Sequence, residues 1–490
     1  MSTRDQAIAA ATDEFDSGRF TASLAELVAC PTESQDPARA PELDRYCRAL
    51  IAPMLEAMGH CVRHFANPVP GGPPFLVAAR IEDPALPTIL TYGHGDVVLA
   101  HAQQWSGGRD PWRLTAEDAK LYGRGTADNK GQHLIALTAL AAVLKVRGRL
   151  GFNSRFILDM GEEVGSPGLD DFIRNQRASL AADLFLALDG PRNSLLRPEI
   201  KLGARGAVNL DLVVELRPGG HHSGHWSGLL RDAGFVLAHA LASIADRNGR
   251  IRVAGWQPAT VPDSVRAACA EVVFDPIPGL PEADPSWGEP GLSRAERIYA
   301  ATGVAVLAAE VGTPAAPVNA VPGRARARIG VRHTVDVPAA SIVPALRAHL
   351  DREGFADVAI APVFGRGQFP AQRTDPAEPW VRFVAASLAR TAGQTCVVVP
   401  SESASSPSGL FAATLGVPTV WFPHSYGGCG QHGPDEHALA PLLRDGLALT
   451  AGLYLDIGAG GTPGAGGTPG AGGTPGAGGT PGAGGTPSAR

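Results

Sequence analysis

Residues 88–96 read TILTYGHGD, a short apolar run that ends in a histidine and an aspartate. Three further short apolar runs, at 154–159, 184–188 and 418–422, also lead into acidic or histidine-containing segments. Runs of this length are typical of buried strands, and residues 134–144 between them have the spacing of a helix. The alternation predicts an α/β fold with polar site residues at the carboxyl edge of its strands.

The pattern of the sequence changes between about residues 204 and 364. Residues 208–216 and 325–333 alternate apolar and polar side chains, which suits a sheet with one face open to solvent. Helical stretches at 232–245 and 339–351 accompany these strands. The segment is therefore predicted to be a separate α+β domain inserted into the first.

The predicted organisation has three parts, which are a discontinuous first domain of residues 1–203 and 365–457, an inserted domain of residues 204–364, and a tail of residues 458–490. The tail consists of the hexamer GAGGTP, repeated five times from residue 458 to residue 487, followed by Ser-Ala-Arg. Gly, Pro and small residues bury too little apolar surface to offset the entropy of ordering, so we expect a disordered tail.

Composition limits the classes of function. The chain has 490 residues, 44% of them hydrophobic, and a net charge of −6, which favours neither nucleic acid nor an anionic membrane as partner. We see no apolar stretch of ~18 residues and no signal-peptide core near the N-terminus. The six cysteines are scattered without a CxxC pair, which favours a reducing, cytoplasmic location over a disulfide framework.

Clusters of histidine and acidic residues stand at or near the ends of the predicted strands. They are His94 with Asp96, Asp128, Glu162 with Glu163, Asp189, and His432. Each has an ordinary explanation when taken alone: Asp128 would cap the following helix, an acidic pair is usually a solvated loop, and His437 would begin a helix. Together, two histidines and three carboxylates suit two divalent ions that share a bridging carboxylate. A glutamate left beside a ligand can activate water.

Eight motifs follow one another between residues 93 and 437, namely GHGDVV, LYGRGTADNKG, GEEVGSPGLDDF, KLGARG, HHSG, NAVP, GVRH and QHGPDEH. In this combination the chain resembles the M20 metallopeptidases, most closely their carnosine dipeptidase-like branch, and the resemblance runs from about residue 20 to residue 457. The resemblance implies a mixed-sheet, dinuclear-metal peptidase domain with an inserted α+β lid. It also implies two divalent ions, with Zn²⁺ first and Mn²⁺ or Co²⁺ as alternatives, and a homodimer formed through the lid.

The metal ligands are carried over by position. His94 and Asp189 match the ligands of one metal, Glu163 and His432 match those of the other, and Asp128 matches the carboxylate that bridges both. The family usually has a cis peptide bond after this bridging aspartate.

Three further positions match catalytic groups of the family. Glu162 matches the general base, and Asp96 matches the aspartate that supports it or His94. His222 matches a lid histidine that reaches the active site of the partner subunit and stabilises the oxyanion.

Asn319, Arg332 and Ser405 match substrate-binding positions, with Arg332 expected to bind the substrate carboxylate. Asn319 stands where the dipeptidase branch commonly has threonine. The loop that closes on the substrate reads SASSP at residues 403–407, so Ser405 and the proline are kept but two glycines are lost. We therefore expect a narrowed or reshaped pocket.

The predicted function is hydrolysis of an amide or peptide bond in a dipeptide or other small peptide-like substrate, with Glu162 activating a metal-bridging water. Aspartate at position 189 resembles the family members that act on substrates with a free amino group, which favours a dipeptidase. An N-acyl-amino-acid deacylase or carboxypeptidase of the same superfamily is the first alternative. A non-catalytic, dimeric metal- or ligand-binding protein is the second.

Overall fold

The structure is a computed structural model, and it describes residues 2–277, 280–363 and 368–460. Its strands are β1 (Cys61–Phe65), β2 (Phe75–Arg80), β3 (Thr88–His94), β4 (Thr115–Glu117), β5 (Lys120–Tyr122), β6 (Asn153–Asp159), β7 (Leu184–Ala187), β8 (Pro191–Arg192), β9 (Glu199–Lys201), β10 (Gly203–Ala204), β11 (Gly206–Glu215), β12 (His221–His222), β13 (Gly303–Glu310), β14 (Ala320–Val321), β15 (Arg324–His333), β16 (Val358–Val363), β17 (Gln372–Arg373), β18 (Val397–Val399), β19 (Thr419–Trp421), β20 (Ser425–Tyr426) and β21 (His437–Leu439).

The α-helices are α1 (Thr3–Asp16), α2 (Arg19–Val28), α3 (Ala40–Arg45), α4 (Ala52–Ala57), α5 (Lys130–Arg147), α6 (Leu169–Asn175), α7 (Arg177–Leu180), α8 (Ser223–Trp226), α9 (Ala233–Ile244), α10 (Asp263–Ala270), α11 (Arg294–Tyr299), α12 (Ala339–Arg352), α13 (Pro379–Ala392), α14 (Ser408–Leu415) and α15 (Ala440–Gly458). A π-helical segment joins α3 to α4, and short 3₁₀ turns include Glu162–Val164. Within the described ranges, no helix combines the length and the apolar character needed to cross a membrane.

The larger sheet has eight strands in the order β1-β2-β6-β3-β7-β19-β9-β18. Its central strand β3 pairs in parallel with both β6 and β7, whereas β1, β2 and β6 pair antiparallel. Ile89 on β3 faces one apolar cluster while Leu90 and Tyr92 belong to another, so the strand is buried on both faces. The predicted α/β fold with a mixed sheet is confirmed, as are the four strands predicted from short apolar runs.

A second sheet, antiparallel and four-stranded, has the order β13-β15-β11-β16. Its inward side chains, such as Leu212 and Ile329, pack with those of α9 and α12, such as Leu237 and Leu346. This one-sided packing confirms the strands and helices predicted from the alternating pattern. The sheet lies inside the predicted segment 204–364, and the division of the chain into domains at those positions stays a prediction.

The C-terminal helix α15 packs against α1, α5 and α13. It ends at Gly458, whose carbonyl accepts a hydrogen bond of 2.6 Å from Arg147. The first residue of the predicted tail is therefore helical. Residues 461–490 of that tail lie outside the described residues.

We expect Leu140→Ala to lower the free energy of unfolding by about 2–5 kcal/mol, because Leu140 is 1% exposed in the core around α5. Leu196→Ala is the matched control, since Leu196 is 76% exposed and its truncation removes little buried surface. Denaturant melts of the two variants measure the difference. Equal losses in both would contradict the packing described for α5.

Candidate metal centre

Two groups of metal-binding side chains share one carboxylate. His94, Asp128 and Asp189 form the first group, and Asp128, Glu163 and His432 form the second, with the ligand atoms of each group within 4.8 Å of one another. Asp128 Oδ1 lies 2.9 Å from His94 Nε2, and its Oδ2 lies 3.1 Å from His432 Nε2. The two oxygens of Asp128 therefore face different histidines, which is the arrangement needed to bridge two cations.

Parallel strands bring most of these residues to one edge of the larger sheet. His94 is the last residue of β3, and Asp189 follows the end of the neighbouring strand β7 by two residues. Glu163 lies in a 3₁₀ turn after β6, the neighbour of β3 on its other side. Asp128 precedes α5, and His432 lies in the loop between β20 and β21.

The peptide bond between Asp128 and Asn129 is cis, as the resemblance implied. Asn129 occupies the position that caps α5, so the alternative in which Asp128 caps this helix is wrong. The Asn129 side chain instead donates to the Leu188 carbonyl at 2.7 Å and accepts from the His94 amide at 3.3 Å. It thereby links the segments that carry His94, Asp128 and Asp189, three of the candidate ligands.

The Asp96 carboxylate holds the backbone of the acidic pair Glu162 and Glu163. Its Oδ1 accepts the backbone N–H of Glu162 and its Oδ2 that of Glu163, each at 3.1 Å. The Glu163 carboxylate turns to His432, with Oε2 3.1 Å from Nε2, whereas Glu162 lines a cavity beside Asp128. The two adjacent glutamates are therefore placed for different tasks.

The carboxylates in this centre are crowded and buried. Burial, together with the charge of Asp128, raises the pKa of Glu163 to about 7 and that of Asp189 to about 6. Burial also raises the pKa of Glu162 well above its ordinary value, and the charge of Glu163 adds to the rise. Hydrogen bonds with Asp128 and Glu163 raise the pKa of His432 to about 11. Divalent cations would relieve this repulsion, so the donor set fits a two-metal centre.

Glu436 holds the loop that ends in Asp128. Its carboxylate accepts the backbone N–H groups of Gly125, Ala127 and Asp128, each at 3.0 Å, and pairs with Arg124 at 2.7 Å. Both side chains of this pair are 1% exposed. Sequence reasoning missed Glu436 as a site residue, although it belongs to the QHGPDEH motif.

The loop that carries His432 is held by two arginines. Arg124 donates to the Gly433 carbonyl at 2.8 Å, and Arg109 donates to Asp435 Oδ1 at 3.1 Å. Since Arg124 also pairs with Glu436, one guanidinium connects the loop that ends in Asp128 to the loop that carries His432.

The prediction that His437 begins a helix is wrong, because His437 is the first residue of β21. Its backbone pairs with Tyr122 on β5, and its Nε2 lies 2.6 Å from the Tyr426 hydroxyl. The His437 side chain therefore contacts Tyr426 and belongs to neither group of candidate metal ligands.

A cavity of about 300 Å³ opens beside the centre, lined among others by Asp128, Glu162, Asp189, Glu402, Ser405 and His432. Arg332 donates to Ser405 Oγ at 2.6 Å, so this predicted pair meets at the cavity. His222 and Asn319 are both exposed. They lie close together, because the backbone N–H of Ser223, the residue after His222, donates to the Asn319 carbonyl. Neither is among the described residues that line the cavity.

Residues 90–456 match peptidase family M20/M25/M40. The chain belongs to this family. A β-Ala-His dipeptidase from Mus musculus is 32% identical over 250 residues, which are 48% of this chain and 50% of that protein. A cysteinylglycine-S-conjugate dipeptidase from Corynebacterium striatum is 33% identical over 171 residues, 34% of this chain and 37% of that protein. The match thus spans about half the length, or less, of these curated relatives.

Solved structures share the fold over nearly the whole described chain. The M20 family metallo-carboxypeptidase Sso-CP2 from Sulfolobus solfataricus superposes with a TM-score of 0.75 at 23% identity, covering 90% of this chain and 99% of that one. Both sheets described above therefore belong to the fold of a solved M20 structure.

Glu436→Gln is expected to weaken metal binding by about 10–100-fold, because the loop of the bridging carboxylate loses the charge that holds it. Calorimetric titration with Zn²⁺ measures the change, and circular dichroism reports whether the fold is kept. Glu215→Gln serves as control, since Glu215 pairs with Arg324 at the surface, where both side chains are 65% exposed. Unchanged Zn²⁺ affinity in a folded Glu436→Gln protein would refute the role assigned to this carboxylate.

Proposed function

We propose that the protein is a metal-dependent hydrolase that cuts the amide bond of a dipeptide or a similarly small peptide-like substrate. The observation that carries the proposal is the Asp128 carboxylate shared by two ligand groups, with Glu162 beside it in a cavity. The names of the relatives, dipeptidases for β-Ala-His and for cysteinylglycine conjugates, support the substrate class. The imidazole and carboxylate donors suit Zn²⁺ first, with Mn²⁺ or Co²⁺ as alternatives.

His94 and Asp189 would hold one ion, Glu163 and His432 the other, and Asp128 both. Such ions, when bound, lower the pKa of a shared water and polarise the substrate carbonyl. Glu162 then takes a proton from the water as its oxygen bonds to the carbonyl carbon. As the C–N bond breaks, Glu162 gives that proton to the leaving amine.

Two features place Glu162 for this exchange. It lines the cavity beside Asp128, and its backbone is held in position. Asp96 fixes the backbone of Glu162 through the 3.1 Å hydrogen bond, which keeps the base beside the centre.

A carboxypeptidase of the same family is the second candidate. Arg332, held on Ser405 at 2.6 Å, supports recognition of a substrate carboxylate, which a dipeptidase and a carboxypeptidase both need. Comparing Ala-Ala with Ala-Ala-Ala-Ala as substrates separates the two, because a dipeptidase cuts only the shorter one efficiently.

The exposed edge of the second sheet supports a homodimer. Strand β13 is an edge strand whose Val306 and Leu307 are 55% and 56% exposed. An apolar edge strand of this kind offers unpaired backbone groups and apolar surface to another copy of the chain. In such a dimer the exposed His222 would serve the active site of the partner.

A cytoplasmic location is also part of the proposal, supported by six free cysteines.

The assignment of the acidic pair is tested by two substitutions. Glu162→Gln should keep two equivalents of metal but lose kcat by about 100-fold or more, because the base is removed and no ligand is. Glu163→Ala should lose metal, since it removes a ligand. Plasma emission spectrometry and dipeptide turnover measure both effects. Near-normal kcat in fully metallated Glu162→Gln, or tight binding of two ions by Glu163→Ala, would show the assignment to be wrong.

The cross-subunit role of His222 is tested by complementation. His222→Ala should lower kcat by about 100-fold while metal content and dimerisation persist. Mixing it with Glu162→Gln and allowing subunits to exchange should restore activity, because one site of each heterodimer then carries neither defect. If exchange is confirmed and activity stays at background, His222 does not act across the dimer.

A further inference from the structure

Two side chains behind the metal centre, Tyr46 and His133, have no part in the mechanism above. Both are fully buried, and both lie outside the two groups of candidate ligands. His133 lies in the first turn of α5, whereas Tyr46 begins the π-helical segment that joins α3 to α4. Segments with π-helical bonding are rare and occur frequently at functional sites. Here the segment brings a tyrosine to the strand end that carries His94.

Two glycines allow both side chains to reach the backbone of His94. A Cβ added to Gly93 would lie 2.6 Å from His133 Cβ, and one added to Gly95 would lie 2.6 Å from Tyr46 Cε1. These distances are too short for two carbon atoms in contact, so only glycine permits so close an approach of the backbone. The residues on either side of His94 therefore pack directly on His133 and Tyr46.

A chain of hydrogen bonds runs from Tyr46 to Asn129. The Asn129 side chain donates through Nδ2 to the Leu188 carbonyl, so its Oδ1 is left to accept. His133 Nδ1 lies 3.1 Å from this Oδ1 and must therefore carry a proton. His133 Nε2 is the accepting nitrogen of the neutral ring, and the Tyr46 hydroxyl donates to it at 2.9 Å. The tautomer of His133 thus sets the direction of both bonds.

The Asn129 amide spans the two segments of the first ligand group. Its Oδ1 accepts the backbone N–H of His94 at 3.3 Å, and its Nδ2 donates at 2.7 Å to the carbonyl of the residue before Asp189. The second ligand group is held by other side chains, since Asp96 accepts the backbone N–H of Glu163. A change in the orientation of the Asn129 amide would therefore disturb the first group more than the second.

We propose that Tyr46 and His133 are positioning residues that hold the first ligand group through Asn129. His133 fixes the orientation of the Asn129 amide, and Tyr46 fixes that of the His133 ring. Partners of metal ligands typically raise metal affinity by about 10–100-fold. The inference rests on the metal centre of the proposed function, and it holds whatever the substrate is.

Calorimetric titration with Zn²⁺ tests the pair in proteins that keep one ligand group intact. Glu163→Ala isolates the first group, and Asp189→Ala isolates the second. In the Glu163→Ala protein, His133→Leu should weaken Zn²⁺ binding by about 10–100-fold, because Asn129 loses its donor. In the Asp189→Ala protein, the same change should weaken Zn²⁺ binding by less than about threefold, because that site does not share the contact.

Two conservative variants show whether the hydrogen bonds, rather than the bulk of the ring, are responsible. In the Glu163→Ala protein, His133→Asn replaces Nδ1 by an amide nitrogen and should bind Zn²⁺ within about threefold of the protein that keeps His133. Tyr46→Phe removes only the hydroxyl and should weaken binding by about three- to tenfold. It should cause no further loss in the His133→Leu protein, because Tyr46 acts only through His133.

Tyr299→Phe is the matched control for Tyr46→Phe. Tyr299 is 2% exposed and its hydroxyl donates to Asn193 Oδ1 at 2.9 Å, so this variant also loses a buried hydrogen bond, but one outside both ligand groups. Its Zn²⁺ affinity should stay unchanged. Equal weakening of both ligand groups, additive losses for Tyr46→Phe and His133→Leu, or unchanged affinity in the folded variants would overturn the inference. If His133→Leu does not fold, Tyr46→Phe and His133→Asn decide the question.

Activity separates this inference from the proposed function. A wild-type protein that binds two Zn²⁺ ions with this dependence on Tyr46 and His133, but cuts neither Ala-Ala nor Ala-Ala-Ala-Ala, would refute the hydrolase and keep the inference. A wild-type protein that cuts Ala-Ala, with Zn²⁺ affinity that the variants do not change, would overturn the inference and keep the hydrolase. A wild-type protein that binds no metal would overturn both.

Discussion

Repulsion among buried carboxylates governs the site. Asp128, Glu162, Glu163 and Asp189 converge at one edge of the larger sheet, where burial penalises each negative charge and neighbouring carboxylates add to the penalty on Glu162, Glu163 and Asp189. Such a cluster is tolerable only when cations compensate it, here two histidines and the metal ions that we propose. The strands, loops and supporting side chains hold these carboxylates close together against their mutual repulsion.

Support comes largely from carboxylates that accept backbone N–H groups. Asp96 accepts two of them from the turn that presents Glu162 and Glu163, and Glu436 accepts three from the loop that ends in Asp128. Backbone donors are rigid, so each acceptor fixes a whole turn rather than a single side chain. Two acidic residues that belong to neither group of candidate ligands thus hold the segments that carry Asp128, Glu162 and Glu163.

Local pattern was enough to predict much of this structure. The short apolar runs that lead to His94, Asp159 and Asp189 predict strands that are buried on both faces. The stretches around Leu212 and Ile329, in which apolar and polar residues alternate, predict a sheet that is buried on one face. The approach of Asp128 to both histidines depends on contacts between segments up to 304 residues apart. It could be foreseen only through the order of the motifs and the family they resemble.

The residues that were missed share a physical property. Glu436 and Asn129 look like ordinary polar loop residues in the sequence, since their partners are distant backbone groups. His437 was misjudged for a related reason, because its pairing with β5 overrides the local signals for a helix start. Sequence patterns report burial and periodicity well, but they do not report which polar group a loop residue will meet.

The spread of the ligands along the chain, from His94 to His432, makes the centre a cross-link as well as a candidate catalyst. Metal bound there would close loops of several hundred residues in the folded chain, while the unfolded chain has no assembled ligand set to compete for it. By mass action, ion at a hundred times the dissociation constant adds about 2.7 kcal/mol of stability for each site. The melting temperature of the protein would then rise with the concentration of free metal ion, and would report how far the two sites are filled.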